Sequence, residues 1–332
     1  MSGIEQLSRR IIEDLANRLP EQRKTQRDKL GLLVATMLEV RSANLMDLAA
    51  SLPRPIKRLD KRSQWIERFL SNDLVDVDEV MAPFAREVLS RIVGSGQRLV
   101  LMIDQTQASV RHQVLMVSVR LGGRALPVAW QARRSSGAIG FSGQRDVLEA
   151  VRRLLPEGAR PVSMGDRFYG SPDLIGLCRA WGWSYRLRLK GNLLVIEDGG
   201  ETTTGECASR GEHALTGVGL TEKKVPTNIA IVHEPGHPEP WIIAMDEAPT
   251  SYKALDYGLR WGIEAMFSDF KTRGFGLEDT QIRHPDRLER LILVMALALY
   301  WAVSTGMWDA TKNPSPAEKN SPMCSRKRSR AA

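Results

Sequence analysis

The stretch YGLRWGIEAMFSDFK, residues 257–271, combines helical spacing with an aromatic, basic and acidic pattern. Tyr257, Arg260, Glu264 and Lys271 follow one another at offsets of three, four and seven residues. On an α-helix these offsets place the four side chains along one stripe. A carboxylate flanked by a phenol and two cations is a poor core face. It indicates a phosphate-binding surface with a metal ligand in its middle.

The composition is that of a basic globular protein. The chain has 332 residues, 42% of them hydrophobic, and 47 lysines and arginines against 39 acidic residues give a net charge of +8. This length allows two or three domains, since about 100 to 200 residues per domain is usual. The pI near 9.6 favours a polyanion such as DNA as the partner.

Several classes of function are disfavoured by the sequence. Cys178, Cys207 and Cys324 are odd in number and widely spaced, which argues against a disulfide framework or a CxxC zinc site and fits a reducing cytoplasm. The sequence contains no GxxxxGK[ST] loop, so we expect no nucleotide cofactor. The first residues lack the long apolar run of a signal peptide. Residues 291–303 form the longest apolar run, which is shorter than the about 18 residues that span a bilayer, so we expect a buried core helix and no membrane partner.

Residues 1–95 have helical periodicity and are predicted to form a DNA-binding region. Asn44 is placed to cap a helix that Pro53 and Pro55 end. The next helix is predicted to carry a basic group: Lys57, Arg58, Lys61 and Arg62. Two short helices with a tight turn resemble a helix-turn-helix DNA reader. An ordinary helical bundle with a solvated basic face explains the same pattern.

Residues 96–192 change to a strand pattern and are predicted to form the first part of a catalytic core. RLVLMID, QVLMVSVRL and ALPVAWQAR predict an antiparallel meander whose first strand ends in Asp104. A helix, a strand that ends in Asp166, a second helix and a further strand follow. Three strands followed by helix, strand, helix and strand predict a mixed α/β sheet whose later strands are joined by helical crossovers.

The rest of the chain divides into three further segments. Residues 193–249 are rich in glycine, threonine and short β-like runs, and they predict a β-rich insertion. Residues 250–310 are predicted to be the C-terminal helices of the core, which carry Glu264. Residues 311–332 are basic and poor in apolar residues, and they predict a disordered tail.

Asp104 and Asp166 are both expected at the carboxyl ends of core strands, where functional groups of open α/β sheets collect. Glu264 would supply a third carboxylate. Such hard oxygen ligands suit Mg²⁺ or Mn²⁺, and two ions about 3.5 to 4 Å apart can activate a nucleophile and stabilise a leaving oxygen. Taken singly, each aspartate could be a turn or cap residue, and Arg260 with Glu264 could be a surface ion pair.

Tyr257, Arg260, Trp261, Ile263, Glu264, Phe267 and Lys271 together fit one family pattern, Tyr-x2-Arg-Trp-x-Ile-Glu-x2-Phe-x3-Lys. This pattern resembles the YREK signature of bacterial insertion-sequence transposases with a DDE catalytic triad. LVLMIDQT around Asp104, MGDRFYG around Asp166 and the later HPDRLERLILVMALAL also look like segments of that family. The resemblance covers roughly residues 38–303.

The resemblance implies a ribonuclease H-like core with a β-strand insertion, in which Asp104, Asp166 and Glu264 hold two Mg²⁺ ions. It implies cut-and-paste transposition: hydrolysis at the element ends, often with a hairpin intermediate, and transfer of the freed 3′-hydroxyl into target DNA by a homodimer that holds both ends. Tyr257, Arg260 and Lys271 would grip phosphates near the cleaved end. Trp241 lies where related enzymes stack a tryptophan on a flipped base, although a buried tryptophan is an equal explanation.

The sequence departs from the family after Trp308, where no C-terminal dimerisation helix is recognisable. Two alternatives stay open: a ribonuclease H-like structure-selective nuclease on the same core, and a decayed transposase that only binds DNA. The string HEPGH, residues 233–237, fits HExxH, but its proline and glycine forbid the helix that a zinc protease needs. We interpret it as a coincidence.

Overall fold

The computed structural model describes residues 3–197, 199–233 and 236–313, and it has a mixed α/β architecture built on one ten-stranded sheet. The strands are β1 (Val100–Ser109), β2 (His112–Leu121), β3 (Arg124–Arg134), β4 (Val162–Gly165), β5 (Ser184–Arg188), β6 (Leu194–Glu197), β7 (Gly200–Thr203), β8 (His213–Leu220), β9 (Val225–Val232) and β10 (Trp241–Met245). The helices are α1 (Gly3–Arg18), α2 (Lys24–Val40), α3 (Leu45–Ser51), α4 (Leu59–Leu70), α5 (Val77–Gly94), α6 (Phe141–Arg152), α7 (Pro172–Ala180), α8 (Thr204–Ser209), α9 (Ser251–Leu255), α10 (Gly262–Phe270) and α11 (Pro285–Lys312).

The first half of the sheet has the predicted ribonuclease H-like arrangement. β1, β2 and β3 form the antiparallel meander, and β4 and β5 run parallel to β1 after the crossover helices α6 and α7. The order β3-β2-β1-β4-β5 puts β1 and β4 side by side at the centre of this half. Their apolar residues are buried, which is typical of parallel strands covered by helices.

The prediction that β1 ends at Asp104 is wrong. β1 continues to Ser109, and Asp104 lies opposite Met116 of β2 in the middle of the ladder. The polar residues after Asp104 continue to pair with β2, so the chain does not turn there. Asp166 does follow the last residue of its strand, Gly165.

The β-rich insertion extends the same sheet. β10 is antiparallel to β5, and the order continues β10-β9-β8-β6-β7 away from the core. Trp241 is the first residue of β10, as the sequence indicates. The insertion therefore lies directly beside the strand that follows Asp166.

The N-terminal region is helical, and Asn44 caps α3 by accepting a hydrogen bond from the Met46 amide. The predicted tight turn is wrong, because residues 52–58 form a seven-residue connection that includes two prolines. A residue before a proline is disfavoured in the α conformation, which explains the break at Leu52 and Arg54, and α4 starts at Leu59. Lys57 and Arg58 therefore precede the helix that was expected to carry them.

The single helix predicted for residues 257–271 is also wrong. Residues Asp256–Trp261 form a 3₁₀ helix, and α10 begins only at Gly262. The 3₁₀ helix has about 3.0 residues per turn instead of 3.6, so the stripe expected from a continuous α-helix is interrupted. Lys271 lies just past the end of α10, and its ammonium pairs with Glu278 at 2.8 Å.

α11 is the predicted core helix. By length and composition, this helix could cross a membrane. However, 61% of its most apolar 18-residue stretch is buried inside the protein, and the helix packs against α2 and β3 among other elements. Its Arg290 donates to the carbonyls of Leu70 and Val75 at 3.0 and 3.1 Å and pairs with Asp73. This contact ties the C-terminal helix to the N-terminal region. α11 continues to Lys312, two residues into the predicted tail, and residues 314–332 lie outside the described part of the chain.

The turn after Asp166 packs against the backbone of β5. A Cβ atom on Gly170 would lie 2.0 Å from the carbonyl oxygen of Arg188, a distance that real structures do not allow. The Gly170 amide also donates to the Asp166 carbonyl at 3.2 Å. The absence of a side chain at position 170 thus fixes how closely the Asp166 turn approaches β5.

We predict that Gly170→Ala destabilises the protein by about 1–3 kcal/mol, because the added methyl group forces two backbones apart. Thermal unfolding followed by circular dichroism measures this change. Gly176→Ala is the matched control: it lies in α7 with no atom near its Cβ position, so it should stabilise the helix by about 0.5–1 kcal/mol. Equal effects of the two substitutions would contradict the packing argument.

Candidate active site

The buried guanidinium of Arg260 hydrogen-bonds to two carboxylates, Asp104 on the central strand β1 and Glu264 on α10. Arg260 donates from Nη1 to Oδ2 of Asp104 at 2.9 Å and from Nη2 to Oε1 of Glu264 at 2.7 Å. Its side chain is 9% exposed, that of Asp104 14%, and that of Glu264 56%. The 3₁₀ helix carries Arg260 over β1, and α10 presents Glu264 on its first turn.

Asp166 lies beside this pair because of strand register. β1 and β4 are parallel, and Ile103 is opposite Gly165, so the next residues of the two strands are Asp104 and Asp166. Oδ1 of Asp166 accepts from the Phe168 amide at 2.8 Å, which holds the carboxylate in the turn. The two aspartates therefore follow paired positions of neighbouring strands, although only Asp166 stands at a strand end.

The electrostatic effect of the cluster is clear at Asp104. Burial raises the pKa of Asp104 to about 6, and the negative charges of Asp166 and Glu264 add to this rise, while Arg260 opposes it. Burial works against the charge of Arg260, but Tyr257, Asp104 and Glu264 together raise its pKa. Arg260 is thus a permanent cation inside an acidic cluster.

The donor set has the right chemistry for a hard divalent cation, since carboxylate oxygens are the ligands that Mg²⁺ and Mn²⁺ prefer. Within the described residues, no group of three or more His, Cys, Asp or Glu side chains is close enough together to hold a metal. Arg260 instead supplies the positive charge between Asp104 and Glu264. Asp104, Asp166 and Glu264 are thus suitable metal ligands by chemistry, but the guanidinium of Arg260 lies between Asp104 and Glu264 in this structure.

Tyr169 lies close to both Asp104 and Asp166. A Cβ atom added to Gly165 would lie 2.6 Å from the Cβ of Tyr169 and close to the side chain of Ile103. The tyrosine is fully buried, and its hydroxyl has no hydrogen-bond partner in the part of the chain that the structure describes. Burial and the charges of Asp104 and Asp166 raise its pKa, so it remains a phenol that can donate.

A cavity of about 360 Å³ opens next to Asp166. Its lining residues are Asp166, Arg167, Arg188, His237, Pro238, Glu239, Trp241, Tyr257, Arg260 and Trp261. The ring of Trp241 contacts those of His237 and Tyr257, each with centroids 5.2 Å away. Trp241 is only 2% exposed, whereas Trp261 is 44% exposed. In this structure Trp241 is a buried tryptophan, and Trp261 is the more accessible ring of the cavity.

The structure brings together six of the predicted site residues: Asp104, Asp166, Trp241, Tyr257, Arg260 and Glu264. It places the other four elsewhere, and their contacts are to protein groups. Arg58 pairs with Asp60, Lys61 donates to Gln64, and Lys271 pairs with Glu278. The guanidinium of Arg62 donates to the carbonyls of Ala50, Arg54 and Ile56.

Sequence reasoning missed Arg167, Arg188, His237 and Glu239. Arg167 follows Asp166 directly, which was a usable signal. Arg188 ends β5, beside the turn that carries Asp166, and only the parallel pairing of β4 and β5 reveals this. His237 and Glu239 belong to the segment before β10, and their position depends on the insertion joining the sheet at β5.

Residues 142–301 match the protein family described as the transposase DDE domain. The matched range contains Asp166 and Glu264, and Asp104 precedes it. A comparison with curated proteins gives no match.

The raised pKa of Asp104 predicts a pH-dependent stability difference between the wild type and Asp104→Asn. The pKa of this carboxyl is higher in the folded state than in the unfolded state, where it is about 4. Its contribution to stability is therefore fully present below about pH 4, and it is lost as the pH rises through the folded pKa. That folded pKa is about 6. The asparagine variant cannot ionise, so it should gain about 2–3 kcal/mol over the wild type between about pH 4 and 7.5.

Thermal unfolding in EDTA at both ends of this pH range measures the difference. Asp146→Asn, at an exposed carboxylate on α6, is the control and should show no such gain. A stability gap between Asp104→Asn and the wild type that stays constant with pH would contradict the burial of an ionised Asp104.

Proposed function

We propose that this chain, which belongs to the DDE-class transposases, catalyses cut-and-paste transposition of a bacterial insertion sequence. The observation that carries the proposal is that Arg260 pairs with both Asp104 and Glu264, while the register of β1 and β4 sets Asp166 next to Asp104. Three carboxylates beside a basic cavity suit phosphodiester cleavage, since oxygen ligands and cations can hold a phosphate and the charge that develops on it.

DDE transposases use divalent metal ions, and Asp104, Asp166 and Glu264 are the residues that would hold two Mg²⁺ ions, or Mn²⁺, in this protein. Such ions, when bound, lower the pKa of a water or hydroxyl nucleophile and neutralise charge on the phosphate. Asp104 must lose its proton to act as a ligand. Because its pKa is about 6 in the metal-free protein, ligation by Asp104 should weaken below that pH.

Arg260 and Tyr257 are the residues proposed to bind phosphates near the cleaved end. Arg260 keeps its charge despite burial, and its planar guanidinium can donate to two phosphate oxygens at once. Tyr257 lies in the same cavity as a buried phenol. Lys271 can join them only after its ion pair with Glu278 opens.

The N-terminal region is proposed to contact DNA outside the active site. Arg58 has a side chain that is 73% exposed, and Lys61 is exposed on the first turn of α4. Arg62 is instead held by backbone carbonyls, so we assign it to positioning the connection between α3 and α4. The DNA partners would be the terminal inverted repeats and the target, bound by a homodimer at the bacterial nucleoid in the cytoplasm.

The test is cleavage and joining of duplex DNA that carries the segments flanking the coding sequence, with Mg²⁺ or with EDTA. We predict metal-dependent nicking and strand transfer by the wild type. Glu264→Gln should lose both activities, because it removes a ligand charge on an exposed side chain without creating a cavity. Asp269→Asn, on the same helix and paired with Arg124, is the matched control and should cleave like the wild type.

Other results would distinguish the remaining alternatives. Nicking without any joined product would indicate a structure-selective nuclease. Binding of the duplex without cleavage by any of the three proteins would indicate a transposase reduced to DNA binding, and it would contradict the proposed activity.

A further inference from the structure

A second group of charges, formed by Arg167, Arg188 and Glu239, lines the same cavity. Glu239, in the segment just before β10, accepts a hydrogen bond from Arg167, and Nη2 of Arg188 is 4.0 Å from the same carboxylate oxygen. The side chain of Glu239 is 61% exposed, that of Arg167 42%, and that of Arg188 20%. Glu239 therefore approaches two arginines from the solvent side.

Three buried donors of this cavity have no acceptor. They are Nε of Arg188, Nε of Arg260 and Nε1 of Trp241, none of which has a hydrogen-bond partner among residues 3–197, 199–233 and 236–313. Guanidinium and indole nitrogens donate only. Buried donors without partners are rare in proteins, so three that line one cavity indicate a ligand rich in acceptor oxygens.

The side of the cavity near Glu239 also favours an anion. Arg260 is already paired with Asp104 and Glu264, whereas Arg167 and Arg188 are two cations that share the carboxylate of Glu239. Burial lowers the pKa of Arg188, and the positive charge of Arg167 lowers it further. The two arginines are thus close enough to repel each other, and the exposed carboxylate of Glu239 approaches both.

We propose that Arg167, Arg188 and Nε1 of Trp241 form a second phosphate-binding site beside the catalytic carboxylates, and that Glu239 occupies it when DNA is absent. Carboxylates and phosphates each offer a guanidinium a pair of acceptor oxygens, so Glu239 can take the place of the phosphate. The inference rests on the proposed function, because it takes a phosphate of the bound DNA strand as the ligand.

This arrangement makes Glu239 an internal competitor of DNA. In the wild type, a phosphate must displace the carboxylate of Glu239, so the gain from neutralising that phosphate is offset by the loss of the ion pair with Arg167. Without the carboxylate, the arginines are free to neutralise one more DNA phosphate, and the cation condensed on that phosphate is released. Each further phosphate that is neutralised steepens the dependence of log K on log salt by about 0.9 for duplex DNA.

The experiment measures fluorescence anisotropy of a labelled duplex that carries the flanking DNA, in EDTA and over a series of sodium chloride concentrations. We expect Glu239→Gln to bind more tightly than the wild type at low salt, with a slope steeper by about 0.9. Arg188→Gln should bind more weakly, and Glu239→Gln should give no gain in the Arg188→Gln background. Glu222→Gln, at an exposed glutamate between β8 and β9, is the matched control and should behave as the wild type.

The inference is overturned if Glu239→Gln has the affinity and slope of the wild type, if Glu222→Gln gives the same gain, or if the gain persists without Arg188. These readouts need no catalysis. A wild type that cleaves DNA while Glu239→Gln shows no gain contradicts this inference alone. A wild type that binds without cleaving contradicts the proposed activity and leaves the competition by Glu239 measurable. A wild type that does not bind the duplex contradicts both.

Discussion

The guanidinium of Arg260 between Asp104 and Glu264 is the interaction on which the site depends. Taking a charge out of water is costly unless it is paired and hydrogen-bonded, and here one buried cation is paired with carboxylates from two separate elements. The pairing fixes the 3₁₀ helix and α10 over β1. It also keeps an ionised carboxylate tolerable at Asp104, whose burial otherwise favours the protonated form.

The fold serves this pairing by bringing distant segments together. Parallel register of β1 and β4 sets Asp166 beside Asp104, and the close approach at Gly170 sets the Asp166 turn against β5. β10 then joins the sheet at β5, so the insertion supplies Trp241, His237 and Glu239 to the same cavity. Residues from the core and from the insertion thus line one cavity.

The sequence predicts the elements better than it predicts the site. Apolar periodicity and turn residues correctly indicate the meander, the crossover helices and the core helix α11, because these depend on local pattern. They do not show that β1 runs past Asp104, since pairing with β2 decides its length. They also miss the 3₁₀ segment at residues 256–261, where Arg260 makes a tertiary contact with Asp104 of β1. Arg188 and Glu239 are invisible to sequence reasoning because the sheet order alone makes them neighbours.

The central claim is that Asp104, Asp166 and Glu264 form one metal-binding cluster, in which Arg260 supplies the cation when no metal is bound. Anomalous scattering from crystals soaked in Mn²⁺ tests it most directly, because it locates the ions without reference to activity. The account predicts manganese peaks in contact with carboxylate oxygens of these three residues. Ordered crystals that take up Mn²⁺ at other sites and show no peak at this cluster would contradict it.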